Sequence, residues 1–216
     1  IYSALFATVL CGMQLKWGKR TSGLGCMIIN TVVLLAFITS GLLSLSELRS
    51  HFLTQDLSQY YDRGMSHVII RYVAIAAMLP LIWFNAAISR QQLFNDAVRV
   101  AQSLFGHFVV LALLSSELVH WLDLARIENT FRLSLSIVWG GYALFLIILG
   151  LSRDKKHIRV AAIVLFAATL LKLFAYDMED MSTILKTVVM IILGALLLTA
   201  SYIYNKYKRS AGNEAH

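Results

Sequence analysis

The sequence predicts an all-α, polytopic membrane protein with about seven transmembrane helices. Of its 216 residues, 58% are hydrophobic and only 14% are charged, whereas soluble domains carry about 25% charged residues. The apolar residues form runs close to the ~20 residues that a helix needs to cross the hydrocarbon core. None of these runs alternates with the period of two that is typical of membrane β-barrels, so helices are the expected spanning elements.

Seven apolar runs are candidate spans. The first begins at Ile1 and lacks the basic segment and cleavage site of a signal peptide, so we expect it to be a span of a longer or processed chain. The third contains Pro80, which predicts a kink near the middle of the membrane. The seven runs cover residues 1–17, 24–45, 68–88, 98–122, 133–151, 160–176 and 184–204.

The distribution of basic residues predicts the orientation of these spans. Twelve of the 19 Lys and Arg residues lie around the ends of the first, third, fifth and seventh spans, and most acidic residues lie at the opposite ends. The positive-inside rule therefore places the N-terminus outside and the C-terminus in the cytoplasm. The basic residues concerned are Lys16, Lys19, Arg20, Arg90, Arg99, Arg153, Lys155, Lys156, Arg159, Lys206, Lys208 and Arg209.

A repeated phrase indicates how the spans are organised. SEL occurs at residues 46–48 and again at 116–118, each time where a span is expected to leave the membrane. We therefore predict helical hairpins repeated in parallel. The connection at residues 46–67 is either an amphipathic helix on the outer surface or an ordinary turn. The predicted repeats cover approximately residues 24–90, 98–154 and 159–205, within a single domain at 1–209 that precedes a disordered tail at 210–216.

Ionisable residues inside spans are costly and therefore candidates for a functional site. Glu117 and His120 share one face of the fourth span because they are three residues apart, and Glu117 is expected to pair with Arg71 or Lys172. Either these side chains form a polar pocket for a lipid headgroup, or they reach the interface and pair with one another. The candidates near the outer ends of spans are Arg71, Glu117, His120, Lys172 and Asp177.

A second polar group is expected in the inner half of the membrane. His107 lies too deep to reach the interface, and with Asn30, Asn85 and Gln102 it either lines a polar cavity or bonds neighbouring helices. We interpret Cys11 and Cys26 as small buried residues and predict no metal site and no cofactor. Glycines such as Gly140, Gly141 and Gly194 are interpreted as close helix contacts.

The second half of the chain also resembles a known family. The segments WGGYALFLIILGLSR, LLKLFAYDM and LLLTASYIYNKY, within residues 104–208, are similar to the C-terminal region of the bacterial predicted membrane proteins called domain of unknown function 2339. The resemblance implies a bacterial inner-membrane protein and family-typical positions at Trp139, Tyr142, Lys172 and Asp177. It implies no reaction.

Three classes of function are compatible with these patterns. The first is a non-enzymatic module that binds membrane lipids or assembles with an envelope protein complex or with the rest of a longer chain. The second is a transporter or flippase for an envelope lipid or glycan precursor, which requires a continuous polar path between the two polar groups. The third and least favoured is an outer-face enzyme with Glu117 or His120 as general base. Nucleic acid is not an expected partner, since the basic residues are dispersed between apolar runs.

Overall fold

The structure is a computed structural model that describes residues 2–17, 20–54, 66–89, 95–125, 131–177 and 183–213. These residues form eight α-helices and two π-helical turns. The prediction of an all-α protein is therefore confirmed. The elements in chain order are α1 (Tyr2–Trp17), α2 (Arg20–Ala36), the first π turn (Phe37–Gly41), α3 (Leu42–Thr54), α4 (Ser66–Ser89), α5 (Asp96–Leu124), α6 (Phe131–Ser152), α7 (Lys156–Lys172), the second π turn (Leu173–Asp177) and α8 (Thr183–Asn213).

Five helical segments among the described residues are long and apolar enough to cross a membrane. They confirm a multi-pass helical membrane protein. The helix α1 has 16 residues, and α8 contains a shorter apolar stretch, Lys186–Thr199. Seven spans and their orientation therefore stay predictions. The five segments are Leu24–His51, Val68–Ile88, Asp96–Leu124, Phe131–Ser152 and Lys156–Asp177.

The second predicted span is longer than the sequence indicated. We expected it to end at residue 45, but α2, the first π turn and α3 run without a break from Arg20 to Thr54. The apolar pattern continues past that point because Leu45 is buried and Leu48 packs against the same core, and residues 42–54 contain no helix breaker. Gly41 leaves room for the Phe37 ring, since a Cβ there would lie 2.6 Å from it. The predicted connection at 46–67 is thus helical at its start, and residues 55–65 lie outside the described residues.

The contacts of the chain group into two compact units, residues 1–125 and 126–216. In the first unit α4 contacts α1, α2, α3 and α5, and it continues through Pro80. The single domain and the three hairpin repeats stay predictions. The core of the first unit consists of Ala7, Leu34, Phe37, Leu45, Ala74, Met78, Leu81, Val109 and Leu113.

The second unit is built around a tight α6–α7 hairpin. Its turn places Asp154 at a positive φ of 46°, and the Lys155 N–H donates to the Gly150 carbonyl at 2.9 Å. A Cβ on Gly150 would lie 2.9 Å from the Arg159 backbone nitrogen, so glycine permits the close approach of the two helices. Within the described residues, and apart from the backbone of its own helix and its two chain neighbours, no atom lies within 4 Å of a Cβ built on Gly140, Gly141 or Gly194. The interpretation of those three glycines as close helix contacts is therefore wrong.

Candidate functional site

Three of the four polar residues predicted for the inner half form hydrogen bonds between α2, α4 and α5, and we call Asn30, Asn85 and Gln102 the amide cluster. Asn85 Nδ2 donates to Gln102 Oε1 at 2.9 Å, and Gln102 Nε2 donates to Thr31 Oγ1 at 3.2 Å. Asn30 Nδ2 donates to the Leu81 carbonyl at 2.9 Å. These bonds join neighbouring helices across an otherwise apolar interior, which is the usual role of amides in membrane helices. His107 lies further along α5 and is half-buried.

A second polar cluster, at the other end of α4 and α5, contains two arginines and two carboxylates. We call Arg49, Arg71, Glu117, His120 and Asp123 the two-arginine cluster. Arg49 comes from α3, Arg71 from α4, and the other three from α5. Three helices therefore converge on it.

Arg71 is the deepest member of the two-arginine cluster, with its side chain 1% exposed. Its Nε donates to Glu117 Oε1 at 2.8 Å. Its Nη2 donates to Ser116 twice, to the backbone carbonyl at 3.0 Å and to Oγ at 2.9 Å. The expected pairing of Arg71 with Glu117 is thus present. Its Nη1 is buried and has no hydrogen-bond partner among the described residues.

Arg49 was not identified from the sequence as a candidate. Its Nη2 lies 2.7 Å from Asp123 Oδ2 and donates to Ser46 Oγ at 2.7 Å, while its Nε is buried and unpartnered among the described residues. The serine of each SEL phrase, Ser46 and Ser116, therefore accepts an N–H from an arginine. The spacing from Ser46 to Arg49 would have revealed this only if residues 46–49 had been predicted as helical.

His120 and Arg71 are the two most buried members of the two-arginine cluster. His120 is 2% exposed, and neither ring nitrogen has a hydrogen-bond partner among the described residues. Its ring meets Tyr72 edge-on at a centroid distance of 6.4 Å and Trp121 at 6.2 Å. The charges of both arginines and both carboxylates act on it electrostatically.

The nitrogens without a partner among the described residues could form hydrogen bonds to a ligand. Buried polar groups in proteins nearly always have a partner, and leaving one without a partner costs about 1–3 kcal/mol. Arg49 Nε and Arg71 Nη1 are both donors on permanently charged groups. A ligand that supplies acceptor oxygens would satisfy them.

Lys172 and Asp177 form a separate group in the second unit. Lys172 Nζ lies 2.9 Å from both Asp177 carboxylate oxygens and donates to Ser136 Oγ at 2.8 Å and to the Arg132 carbonyl at 3.2 Å. The Ser136 hydroxyl in turn donates to Asp177 Oδ2. The Asp177 side chain is fully buried. An ammonium group has three N–H donors, so this group is saturated and is best explained as structural.

The second π turn explains why Lys172 and Asp177 meet. Residues five apart lie about 140° apart around an α-helix of 3.6 residues per turn. In a π-helix the backbone hydrogen bonds join residues five apart instead. The turn covers Leu173–Asp177 and so brings the carboxylate back over Lys172.

Comparison with known protein families gives one match, which covers most of the chain. The family described as "Predicted membrane protein (DUF2339)" matches residues 1–207. The match confirms the resemblance noted in the second half and extends it to the first half, which is too generic to be recognised by inspection. No curated protein and no solved structure matches the chain. The chain belongs to the DUF2339 family of predicted membrane proteins.

Proposed function

We propose that this integral membrane protein is a non-enzymatic lipid-binding module of the bacterial inner membrane, which holds a phospholipid by its phosphate at the two-arginine cluster. The observation that carries the proposal is the pair of buried donors, Arg49 Nε and Arg71 Nη1, that have no hydrogen-bond partner in the part of the chain that the structure describes. Phosphate oxygens are strong acceptors, and guanidinium groups match them in geometry as well as in charge. A phosphate would therefore supply the missing partners.

The surroundings of the two-arginine cluster favour a lipid over a free phosphate ion. Tyr72 and Trp121 flank it with 40% and 60% of their surface exposed, and such aromatic residues are enriched at the level of lipid headgroups. Next to Arg71 on α4, Ile69, Ile70 and Val73 are exposed. Acyl chains can lie against this apolar surface while the phosphate reaches the arginines.

The interior of the first unit supports binding rather than transport. Arg71 and Asn85 are separated by 14 residues of α4, or about 21 Å at 1.5 Å per residue. Between them Ala74, Met78 and Leu81 are buried in the apolar core. This packed layer separates the two-arginine cluster from the amide cluster, whereas a transporter would need a polar path between them.

Native mass spectrometry of the full chain, extracted gently from its own membrane, tests the proposal. We expect a mass above the 24.2 kDa chain by one phospholipid. Arg49→Gln should reduce that adduct about tenfold, because it removes a charge-assisted hydrogen bond. The matched control is Arg99→Gln, which removes an arginine paired with Asp96 on the exposed surface of α5 and should leave the adduct unchanged.

Two results would contradict lipid binding at this site. One is a parent chain that retains no phospholipid, and the other is equal loss of the adduct in both variants. Addition of inorganic phosphate distinguishes the source of the phosphate group. If inorganic phosphate alone displaces the adduct, the site belongs to free phosphate rather than to a lipid.

A further inference from the structure

The formal charges of the two-arginine cluster cancel. Its two guanidinium groups lie among two carboxylates, Glu117 and Asp123. A headgroup whose only charge is its phosphate would bring an unbalanced negative charge next to those carboxylates. A zwitterionic headgroup would find partners for both of its charges.

The two arginines of the two-arginine cluster are more buried than its two carboxylates. The arginines are the buried members, with side chains 1% and 10% exposed, and the carboxylates of Glu117 and Asp123 are 25% and 40% exposed. Asp123 lies six residues beyond Glu117, or about 9 Å further along α5. The phosphate of a zwitterionic phospholipid lies next to the glycerol and its amine lies further out. The buried arginines therefore suit the phosphate, and the more exposed carboxylates suit the amine.

The carboxylates also distinguish between amines. An ionised carboxylate has about four acceptor sites, which is more than one arginine partner fills. A primary ammonium group has three N–H donors for these sites, whereas a quaternary ammonium group has none. We infer that the ligand is a phospholipid with a primary ammonium group, of the phosphoethanolamine class. This inference rests on the proposed function.

Lipid competition on the full chain in detergent tests the inference. The protein is mixed with equal amounts of phosphatidylethanolamine, phosphatidylcholine and phosphatidylglycerol of identical acyl chains, and the adducts are compared by native mass spectrometry. The parent should retain the ethanolamine lipid about tenfold more than either competitor, since only that lipid forms charge-assisted hydrogen bonds with both carboxylates and arginines.

A charge change in the site provides the sharper experiment. Asp123→Asn leaves the two-arginine cluster with one excess positive charge, so its preference should shift from the ethanolamine lipid to the anionic phosphatidylglycerol. Asp123→Asn removes the ion pair of the buried Arg49 but keeps a side-chain oxygen that can accept its N–H. Asp96→Asn is the matched control because it removes one acid from the same helix at a position 85% exposed. The control should keep the preference of the parent.

The outcomes separate the inference from the proposed function. Equal retention of the three lipids by the parent, or preference for phosphatidylglycerol, overturns the ethanolamine assignment and leaves phospholipid binding intact. Retention of none of the three overturns both. An equal shift in Asp123→Asn and Asp96→Asn shows an effect of total charge, which also overturns the assignment.

Discussion

Arg71 shows how a charged residue is accommodated at membrane depth in this protein. An arginine at the centre of a span costs about 2.5–3.5 kcal/mol on insertion scales. Here Glu117 compensates its charge at 2.8 Å, and Ser116 accepts two further hydrogen bonds. The charge of Arg71 is therefore stabilised by these partners, and removal of Arg71 leaves the Glu117 carboxylate without a cation.

A double-mutant cycle at Arg71 and Glu117 measures that dependence. Arg71→Met should lower the free energy of unfolding by about 2–4 kcal/mol, because it leaves the partly buried Glu117 carboxylate without its cation. Adding Glu117→Gln should recover part of the loss, with a coupling energy of at least about 1 kcal/mol. The measurement is reversible unfolding of the full chain in mixed detergent micelles. A cycle at the exposed Arg99 and Asp96 pair serves as control, with an expected coupling of about 0–1 kcal/mol, and strictly additive effects at Arg71 and Glu117 would contradict the prediction.

Only part of the two-arginine cluster could be predicted from the sequence. Glu117 and His120 were recognisable because a three-residue spacing within one helix fixes a shared face, and Arg71 was recognisable as a charge inside an apolar run. Arg49 could not be recognised, since its position depends on α3, which follows the π turn at Phe37–Gly41 and continues beyond residue 45. Hydropathy does not reveal that turn.

At the scale of helices and turns, the two π turns determine which side chains meet. The first precedes α3, which carries Arg49, and the second follows α7 and ends at Asp177. The second places Asp177 over Lys172, a spacing that α-helical geometry does not favour. The sequence predicted both residues as candidates in one outer group with Arg71. It allowed these side chains to pair with one another and named Lys172 as a possible partner of Glu117, but it did not single out the Lys172–Asp177 pair, because a π turn has no periodic apolar signature.

The α6–α7 hairpin allows a test of helix approach. Gly150→Ala should destabilise the protein by more than about 1 kcal/mol, because the new methyl group would lie 2.9 Å from the Arg159 backbone nitrogen and overpacking costs about 1–3 kcal/mol. Gly141→Ala is the matched control on the same helix, since no described atom lies within 4 Å of its Cβ. It should be neutral or stabilise by up to about 1 kcal/mol through helix propensity. Thermal unfolding of both variants in one detergent compares them, and equal midpoints would contradict the prediction.

At the scale of the whole molecule, the fold class was the most predictable property. A bilayer requires every backbone polar group to be paired internally, so long apolar runs without period-two alternation leave only helices. The division of contacts into residues 1–125 and 126–216 was not predictable, since apolar helices pack through shape and small residues, and hydropathy carries no information about which helices are neighbours.

The orientation of the chain in the membrane can be tested on α5. Its 29 residues span about 44 Å at 1.5 Å per residue, more than the ~30 Å hydrocarbon core, so its two flanking residues should lie in water on opposite sides. Because basic residues favour the cytoplasm, Asn95→Cys should be protected in intact cells from a membrane-impermeant maleimide and Ala125→Cys should react. Lys156→Cys, at the start of α7, should be protected like Asn95→Cys and should react after permeabilisation.

The parent chain contains two cysteines, Cys11 and Cys26, which are 1% and 8% exposed. Because both thiols are buried, the parent chain should stay unlabelled and serves as the background control. Reaction of Asn95→Cys and Ala125→Cys from the same side would show that α5 does not cross the membrane. The inverse pattern would keep the crossing and reverse the orientation, which would place the two-arginine cluster at the cytoplasmic leaflet. Since the cluster lies towards the Ala125 end of α5, the same labelling experiment assigns the leaflet from which it can take a lipid.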